Sequence, residues 1–449
     1  MSTIAAIATP AGKGGIGIIR VSGPEVKTVM GKILYKNIKE RKLYFGNFYL
    51  DNDNIIDQGL AIYFAKPKSF TGEDILELHA HGSPIVLDIL LKKILTIPDV
   101  RLAKPGEFSE RAFLNNKIDL IQAEAIADLI DSASEQAAKS AIKSLQGEFS
   151  QKINKVNKQI INLRTHIESA IDFTEEEIKF LHKNEILNKL ITIEKNITNI
   201  IEIAEQGNIL KEGITIVLTG KPNVGKSTLI NKLSKKDIAI VTNIAGTTRD
   251  VLKENINIDG VPINIIDTAG LRQSNDIIER EGLKRAYKEI EKADEILLLI
   301  DASDDIEKVI TEIKNDFFKK IKSLPKITVV RNKIDLLKEI PSSTQYKNTD
   351  VISISAKYNN GLNYLKDHLK KTSGFNNNSQ GIFIARRRHL TALEEVKCFI
   401  LSAIKQCSNK YELIAEDLRQ AQLKLNEITG EFTTEDLLEK IFSNFCIGK

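Results

Sequence analysis

Apolar positions along this chain recur at two periods, and the period switches three times. Over residues 1–118 short alternating runs separated by turns predict strands at 16–23 (IGIIRVSG), 44–50 (YFGNFYL), 59–65 (GLAIYFA) and 75–82 (ILELHAHG). SPIVLDILLKKIL (83–95) predicts a helix opened by Ser83 and Pro84. Over 119–210 the period lengthens. Ile153, Val156, Ile160, Leu163 and Ile167 fall on one helical face, as do Ile186, Leu190, Ile193, Ile197 and Ile200. These are the stripes of a helix-bundle core. Over 211–372 the apolar runs ITIVL, INIID, EILLLID and ITVV each lead into a helix or a polar motif, the pattern of a doubly wound α/β domain. Asp259–Gly260 between two of these runs predicts a tight hairpin. After the polar stretch SGFNNNSQG (373–381) the helical period resumes through Leu390, Leu393, Val396 and Ile400, then Ile414, Leu418, Ala421, Leu425 and Ile428, and Gly430 stops it.

The pattern divides the chain into an N-terminal α+β domain at 1–118, a helical domain built from 119–210 and 373–449, and an α/β domain at 211–372 inserted into it. The 449 residues suit two to four domains, and 42% hydrophobic residues are ordinary for a globular chain. A net charge of +4 permits contact with nucleic acid without arguing for it. Cys398, Cys407 and Cys446 are three, an odd number without metal-ligand spacing, which fits a reducing cytoplasm. The N-terminal stretch has neither the cationic start nor the apolar core of a signal peptide, and no apolar run is long enough to span a bilayer.

Four segments in order describe a guanine-nucleotide pocket: GKPNVGKS (220–227), GTTRD (246–250), DTAG (267–270) and NKID (332–335). Strand, Gly-rich loop and helix make the first a P-loop. Gly220 and Gly225 let backbone N–H groups wrap phosphates, Lys226 supplies a point charge, and Ser227 offers its hydroxyl to Mg²⁺. Thr248 is the second hydroxyl for Mg²⁺, Asp267 can hold the ion through water, and the Gly270 N–H can meet the terminal phosphate. Asp335 can accept from both N1–H and the 2-amino group of guanine, which adenine cannot satisfy. Ser355, Ala356 and Lys357 match the last base-contacting loop. With their neighbours, the candidate pocket gains Asn223, Val224 and Thr228 in the first loop. Asn243, Ala245 and Gly246 join from the second, Thr268 and Ala269 from the third, and Asn332 and Lys333 from the fourth. Leu271 stands where many GTPases carry the Gln that orients water. Either hydrolysis is slow or another residue orients the water, with Glu279 and Glu281 as candidates.

With these motifs assembled, the chain resembles the MnmE (TrmE) family of tRNA-modifying GTPases over essentially its whole length. The resemblance also rests on ATPAGKGGIGIIRVSG, SFTGEDILELHAHGSP, KPGEFSERAFLNNKIDLIQAEA and the C-terminal FCIGK. It implies an α/β P-loop GTPase domain inserted in an α-helical domain, plus an N-terminal α+β folate-binding-like domain. It implies a cytoplasmic homodimer, paired through the N-terminal domains, that joins the flavoprotein MnmG in a heterotetramer. Together they would add a carboxymethylaminomethyl or aminomethyl group to C5 of a tRNA wobble uridine, taking one carbon from 5-formyltetrahydrofolate or a related folate. Arg20, Glu77, Lys117 and Lys449 would contact the folate; without the resemblance each reads as an ordinary surface charge. The family also supplies K⁺ as a substitute for an arginine finger, held by Asn223 and by backbone groups around Thr242, Ile244 and Thr247. Glu279 would orient the attacking water through a second water, and Arg249 would join the catalytic set as a switch residue and not a finger. Cys446 would be the cysteine required for modification, as nucleophile or proton donor. Gly448 and Lys449 make the tail a poor prenylation box.

Two readings compete. One is a K⁺-dependent GTPase that drives tRNA modification. The other is a GTPase switch that docks on ribosomal RNA through Arg386–Arg388 and Lys-rich helices. They share the pocket and differ over the N-terminal domain and the CIGK tail, which an assembly switch does not need. A membrane-remodelling GTPase lacks a visible amphipathic anchor. His79 and His81 share one strand face, but no third ligand accompanies them, so they make no metal site.

Overall fold

The computed structural model describes residues 2–172, 183–234, 253–267, 290–316, 325–375, 381–406, 411–431, 438, 441–443, 445, 446 and 448. Thr242 to Arg249, Thr268 to Leu271, Glu279, Glu281, Cys407, Lys449 and most of the linker at 376–380 lie outside them. Two compact units emerge: Met1–Ala127 with Leu145–Glu194 and Glu395–Lys449, and Asp128–Ser144 with Lys195–Glu394.

In the first unit, strands β1 (Thr3–Ile7), β2 (Gly14–Ser22), β3 (Tyr44–Tyr49), β4 (Ile55–Phe64), β5 (Ile75–Gly82) and β6 (Val100–Leu102) form one sheet in the order β3-β4-β5-β2-β1-β6. All neighbours are antiparallel except β1 and β6. The alternation in β5 sorts its side chains. Leu76, Leu78 and Ala80 face a core closed by helices Val26–Leu34 and Pro84–Leu95, while Glu77, His79 and His81 alternate with them along the strand. A separate cluster joins Ile4 and Ala6 of β1 to Ala103 and to Phe108 of helix Glu107–Leu114. The four expected strands form, and β4 begins four residues earlier than its apolar run. Its start is set by the turn in which Asp51 accepts from the N–H groups of Asp53 (3.1 Å) and Asn54 (2.9 Å). β1, β6 and helices Val26–Leu34 and Glu107–Leu114 add to the expected set.

Helices Glu148–Asp172 and Tyr411–Thr429 pack together as their stripes require: Ile153, Val156, Ile160, Leu163 and Ile167 are buried, as are Ile414, Leu418, Ala421, Leu425 and Ile428. The buried Asn157 Nδ2 donates to Asn426 Oδ1 at 2.9 Å across this pair, which fixes its register. Gly430 ends the second helix at φ +89°.

The second unit holds strands β7 (Ile214–Thr219), β8 (Lys253–Ile258), β9 (Val261–Asp267), β10 (Glu295–Asp301), β11 (Lys326–Asn332), β12 (Ser342–Tyr346) and β13 (Thr349–Ser353), ordered β12-β13-β11-β10-β7-β9-β8. The five inner strands are parallel and the two edges antiparallel. β7 and β10 are near-continuous apolar runs because they lie at the centre, covered on both faces. Asp259 (φ +50°) and Gly260 (φ +95°) make the expected hairpin turn. At the foot of β10 the fully buried Glu295 accepts from Thr328, from His368 Nε2 at 2.7 Å and from Thr372 at 2.8 Å, anchoring helix Leu362–Ser373 to the sheet.

Candidate functional site

The sheet of the second unit delivers its loops at the carboxyl ends of its parallel strands, where open α/β sheets bind ligands. β7 ends at Thr219, the P-loop follows, and helix Lys226–Ser234 begins directly after Gly225. Asn223 takes a left-handed conformation (φ +62°) and is exposed. Gly225 has φ +100°, and a Cβ there would lie 2.4 Å from Asn332 Nδ2, so only glycine fits both the backbone and the neighbour. Lys226 Nζ donates to the carbonyls of Gly220 (2.8 Å) and Lys221 (2.9 Å), which folds the ammonium over the loop. Ser227 and Thr228 are exposed on the first turn of the helix, and Val224 is buried under the loop.

The NKID and SAK segments meet this loop. Asn332, only 3% exposed, donates from Nδ2 to the Val224 carbonyl at 2.8 Å and accepts at Oδ1 from the Ala356 N–H at 2.9 Å. One side chain thus clasps the P-loop to the SAK loop. Asp335 Oδ1 accepts from the buried Ser355 hydroxyl at 2.5 Å, which aims the half-buried carboxylate. Lys333 pairs with Asp301 Oδ2 at 3.0 Å. Burial pushes the Asp301 carboxyl up, but the Ser303 N–H and Lys333 outweigh it and hold the group below the usual range. Asp301, at the end of a central strand, is the neighbour that motif reading passes over; its position after EILLLI is the available signal. Lys357 is exposed, its ammonium 5.1 Å from the Tyr358 ring centroid. Asp267 is the last residue of β9. The arrangement offers N–H groups and an ammonium at one loop and an oriented carboxylate at the other. That is the polarity needed for a phosphate chain and a purine carrying two adjacent donors.

A second cluster sits in the first unit. Arg20 of β2 stands directly opposite Glu77 of β5. Arg20 Nε donates to Glu77 Oε1 at 2.9 Å, and its guanidinium carbon lies 5.8 Å from the Phe70 ring centroid and 5.7 Å from that of Phe108. His79 Nε2 is 3.6 Å from Glu77 Oε2, and His81 pairs with Asp57 at 2.8 Å, so each histidine faces a carboxylate. Among the described residues no three His, Cys, Asp or Glu side chains gather as a metal site. Lys117 is exposed and stands against Gly72, in the loop that supplies Phe70. The C-terminal tail reaches the same domain. The Cys446 carbonyl accepts from the Gly106 N–H at 3.3 Å, and its thiol is free and exposed. Gly448 has φ +96°, and a Cβ there would lie 2.5 Å from the Ile7 carbonyl at the end of β1, the strand paired with β2. Nearby, Glu107 is bound by Arg101 and Arg111, and Arg111 also reaches Glu73 at 2.9 Å. Burial would raise the Glu107 carboxyl; Arg101, the Lys104 N–H and Arg111 overcome it and hold the group at about 2.

Arg386 is committed elsewhere. It pairs with the buried Asp128 at 2.9 Å, and helix Arg387–Gln406 starts immediately after it. This tells against a role as a free RNA-docking cation.

A family model described as MnmE helical domain matches residues 120–446, and one described as GTP-binding protein TrmE N-terminus matches 3–117. The tRNA modification GTPase MnmE of Proteus mirabilis (strain HI4320) is 51% identical to this chain over 449 residues, 100% of this chain and 99% of that protein. Its counterpart in Haemophilus influenzae (strain 86-028NP) is 52% identical over the same shares. A crystal structure of Aquifex aeolicus Era aligns with 42% of this chain and 67% of its own at 27% identity, with a TM-score of 0.27, too low to bear on the fold.

Proposed function

We propose that this chain, which belongs to the MnmE (TrmE) family of tRNA modification GTPases, couples GTP hydrolysis to one-carbon chemistry at C5 of a tRNA wobble uridine. What carries the reading is the contact of Cys446 with Gly106 and of Gly448 with Ile7, the latter on the sheet that pairs Arg20 with Glu77. A free thiol carried by the same domain as a half-buried Arg–Glu pair suits a cofactor with both carboxylates and ring donors, as a folate has. Arg20 and Lys117 would take the carboxylates, Glu77 the pterin donors, and Lys449 would close the site. The folate would supply the carbon unit, and Cys446 would act beside it.

In the nucleotide pocket Lys226 and the P-loop N–H groups bind the phosphates, while Asp335, aimed by Ser355, selects guanine. The hydroxyls of Ser227 and Thr248 are hard oxygen donors that suit Mg²⁺. The Asn223 amide, with backbone oxygens around Thr242, Ile244 and Thr247, suits K⁺. Cations there would neutralise charge that develops on the phosphates. With Leu271 unable to hydrogen-bond, Glu279 would orient the attacking water and Arg249 would act from the switch segment. In this reading the protein is a cytoplasmic homodimer that works with the flavoprotein MnmG. Its nucleotide domain, 211–372, is inserted in a helical domain made of 119–210 and 373–449. Among the described residues no helix is long and apolar enough to cross a membrane.

The test is mass spectrometry of tRNA nucleosides from cells with and without this gene. C5-modified wobble uridines are expected to vanish on deletion and return on complementation. Unchanged nucleosides would overturn the reading and move ribosome assembly forward.

A further inference from the structure

The turn of the β8–β9 hairpin is bonded to a segment 126 residues earlier in the chain. Ser134 Oγ donates to the Gly260 carbonyl at 3.0 Å. The same oxygen accepts from the Ala137 N–H at 3.1 Å and so caps helix Glu135–Leu145. The turn is stiff on its own account, since Asn257 Oδ1 accepts from the Gly260 N–H at 2.7 Å. Asn257 Nδ2 also reaches the Ala133 carbonyl at 3.5 Å. A Cβ on Gly260 would lie 3.3 Å from Gln136 Cβ, and Lys370 pairs with Asp259. The segment is held from before as well, because Asp128 is bound by Arg386 and by Lys211, each at 2.9 Å.

The open end of this hairpin lies at the nucleotide motifs. GTTRD ends at Asp250, just before β8 begins at Lys253, and DTAG begins at Asp267, the last residue of β9. β9 is paired in parallel with β7, whose end opens the P-loop. Six cross-strand pairs, from Lys253↔Ile266 to Ile258↔Val261, join the two ends over roughly 20 Å. A displacement at the open end of a continuously paired ribbon would be passed along its ladder to the turn.

We propose that the β8–β9 hairpin is the lever through which nucleotide state reaches helix Glu135–Leu145, with Ser134 as the positioning residue at its tip. Ser134 suits the task because one hydroxyl serves both partners. When the Gly260 carbonyl moves, the hydroxyl reorients and the helix cap is strengthened or loosened.

The two roles of Ser134 can be separated. Asp is as good a cap as Ser but, ionised, cannot donate to the Gly260 carbonyl; Thr can do both. Amide hydrogen exchange would be followed on the full chain with Mg²⁺ and either GDP or a non-hydrolysable GTP analogue. In the natural chain the amides of helix Glu135–Leu145 are expected to exchange at rates differing about fivefold between the two nucleotides, the scale of one neutral hydrogen bond. Ser134→Thr keeps the difference. Ser134→Asp abolishes it while fluorescent-GDP affinity and basal GTP hydrolysis stay within about twofold, as expected for a helix cap left intact. Asn257→Ala, which attacks the turn and leaves the cap untouched, gives the same loss should Ser134→Asp fold poorly. A full nucleotide-dependent difference in Ser134→Asp and Asn257→Ala overturns the proposal, as does its absence in the natural chain when both nucleotides bind. A natural chain that binds neither nucleotide overturns the pocket assignment as well.

Discussion

Single side chains here act by holding backbone in place. Asn332 is the clearest case: its amide is spent on Val224 and Ala356, so its contribution is to fix the P-loop against the base loop. Asp335 keeps one oxygen on Ser355, which fixes the direction of its carboxylate. Asp335→Asn would replace an acceptor pair with a mixed donor and acceptor, whose new N–H opposes the 2-amino group of guanine. GTP affinity is expected to fall about a hundredfold, with compensating gain for the xanthine nucleotide, whose O2 accepts where guanine donates. Titration with both fluorescent nucleotides checks this; an equal loss for the two would mean that Asp335 supports the loop and does not read the base. The motif spacing made Asp335 legible. The clasp by Asn332 was not, because its partners are backbone atoms, one of them 108 residues away.

At the scale of elements, helix Glu107–Leu114 depends on charge as much as on packing. Arg111 is 5% exposed and bridges Glu107 and Glu73. Arg111→Ala leaves Glu73 without its cation and Glu107 with Arg101 alone in a largely buried setting, and a loss of about 3 kcal/mol is expected in urea unfolding at neutral pH. The sign with pH follows from Glu107. Its folded value of about 2 lies below the ordinary 4.5, so its contribution is complete above about 4.5 and is lost as pH falls towards 2. The stability gap between natural and Arg111→Ala chains should therefore narrow between pH 5 and pH 3, and a constant gap would refute the charge argument. The long bundle helices were legible because apolar positions repeating at the helical period line up on one side of a helix and scatter over both sides of a strand. The β12–β13 hairpin was not. Its strand Ser342–Tyr346 is polar and largely exposed, an edge strand with no buried face to mark it, and its turn uses Lys347 and Asn348 at positive φ in place of glycine.

For the whole molecule, the two candidate chemistries fall in different compact units: Cys446 in the first, the P-loop in the second. Cys446→Ser should leave GTP hydrolysis within about twofold of the natural rate, since a surface substitution remote from such features rarely disturbs a fold, and should abolish tRNA modification. Loss of both activities would make the cysteine structural. Sequence by itself determined the nucleotide motifs, the helical stripes and the alternation between them. Each depends on neighbours within a few turns of chain, where period and spacing are the physics. Tertiary structure alone decided which distant atoms meet. It set Arg20 opposite Glu77 through strand register, brought Cys446 to Gly106 and Gly448 to Ile7, and bonded the Gly260 turn to Ser134. Those meetings rest on loop closures and backbone hydrogen bonds, and a backbone N–H or carbonyl is the same in every residue but proline, so the sequence carries no local mark of them.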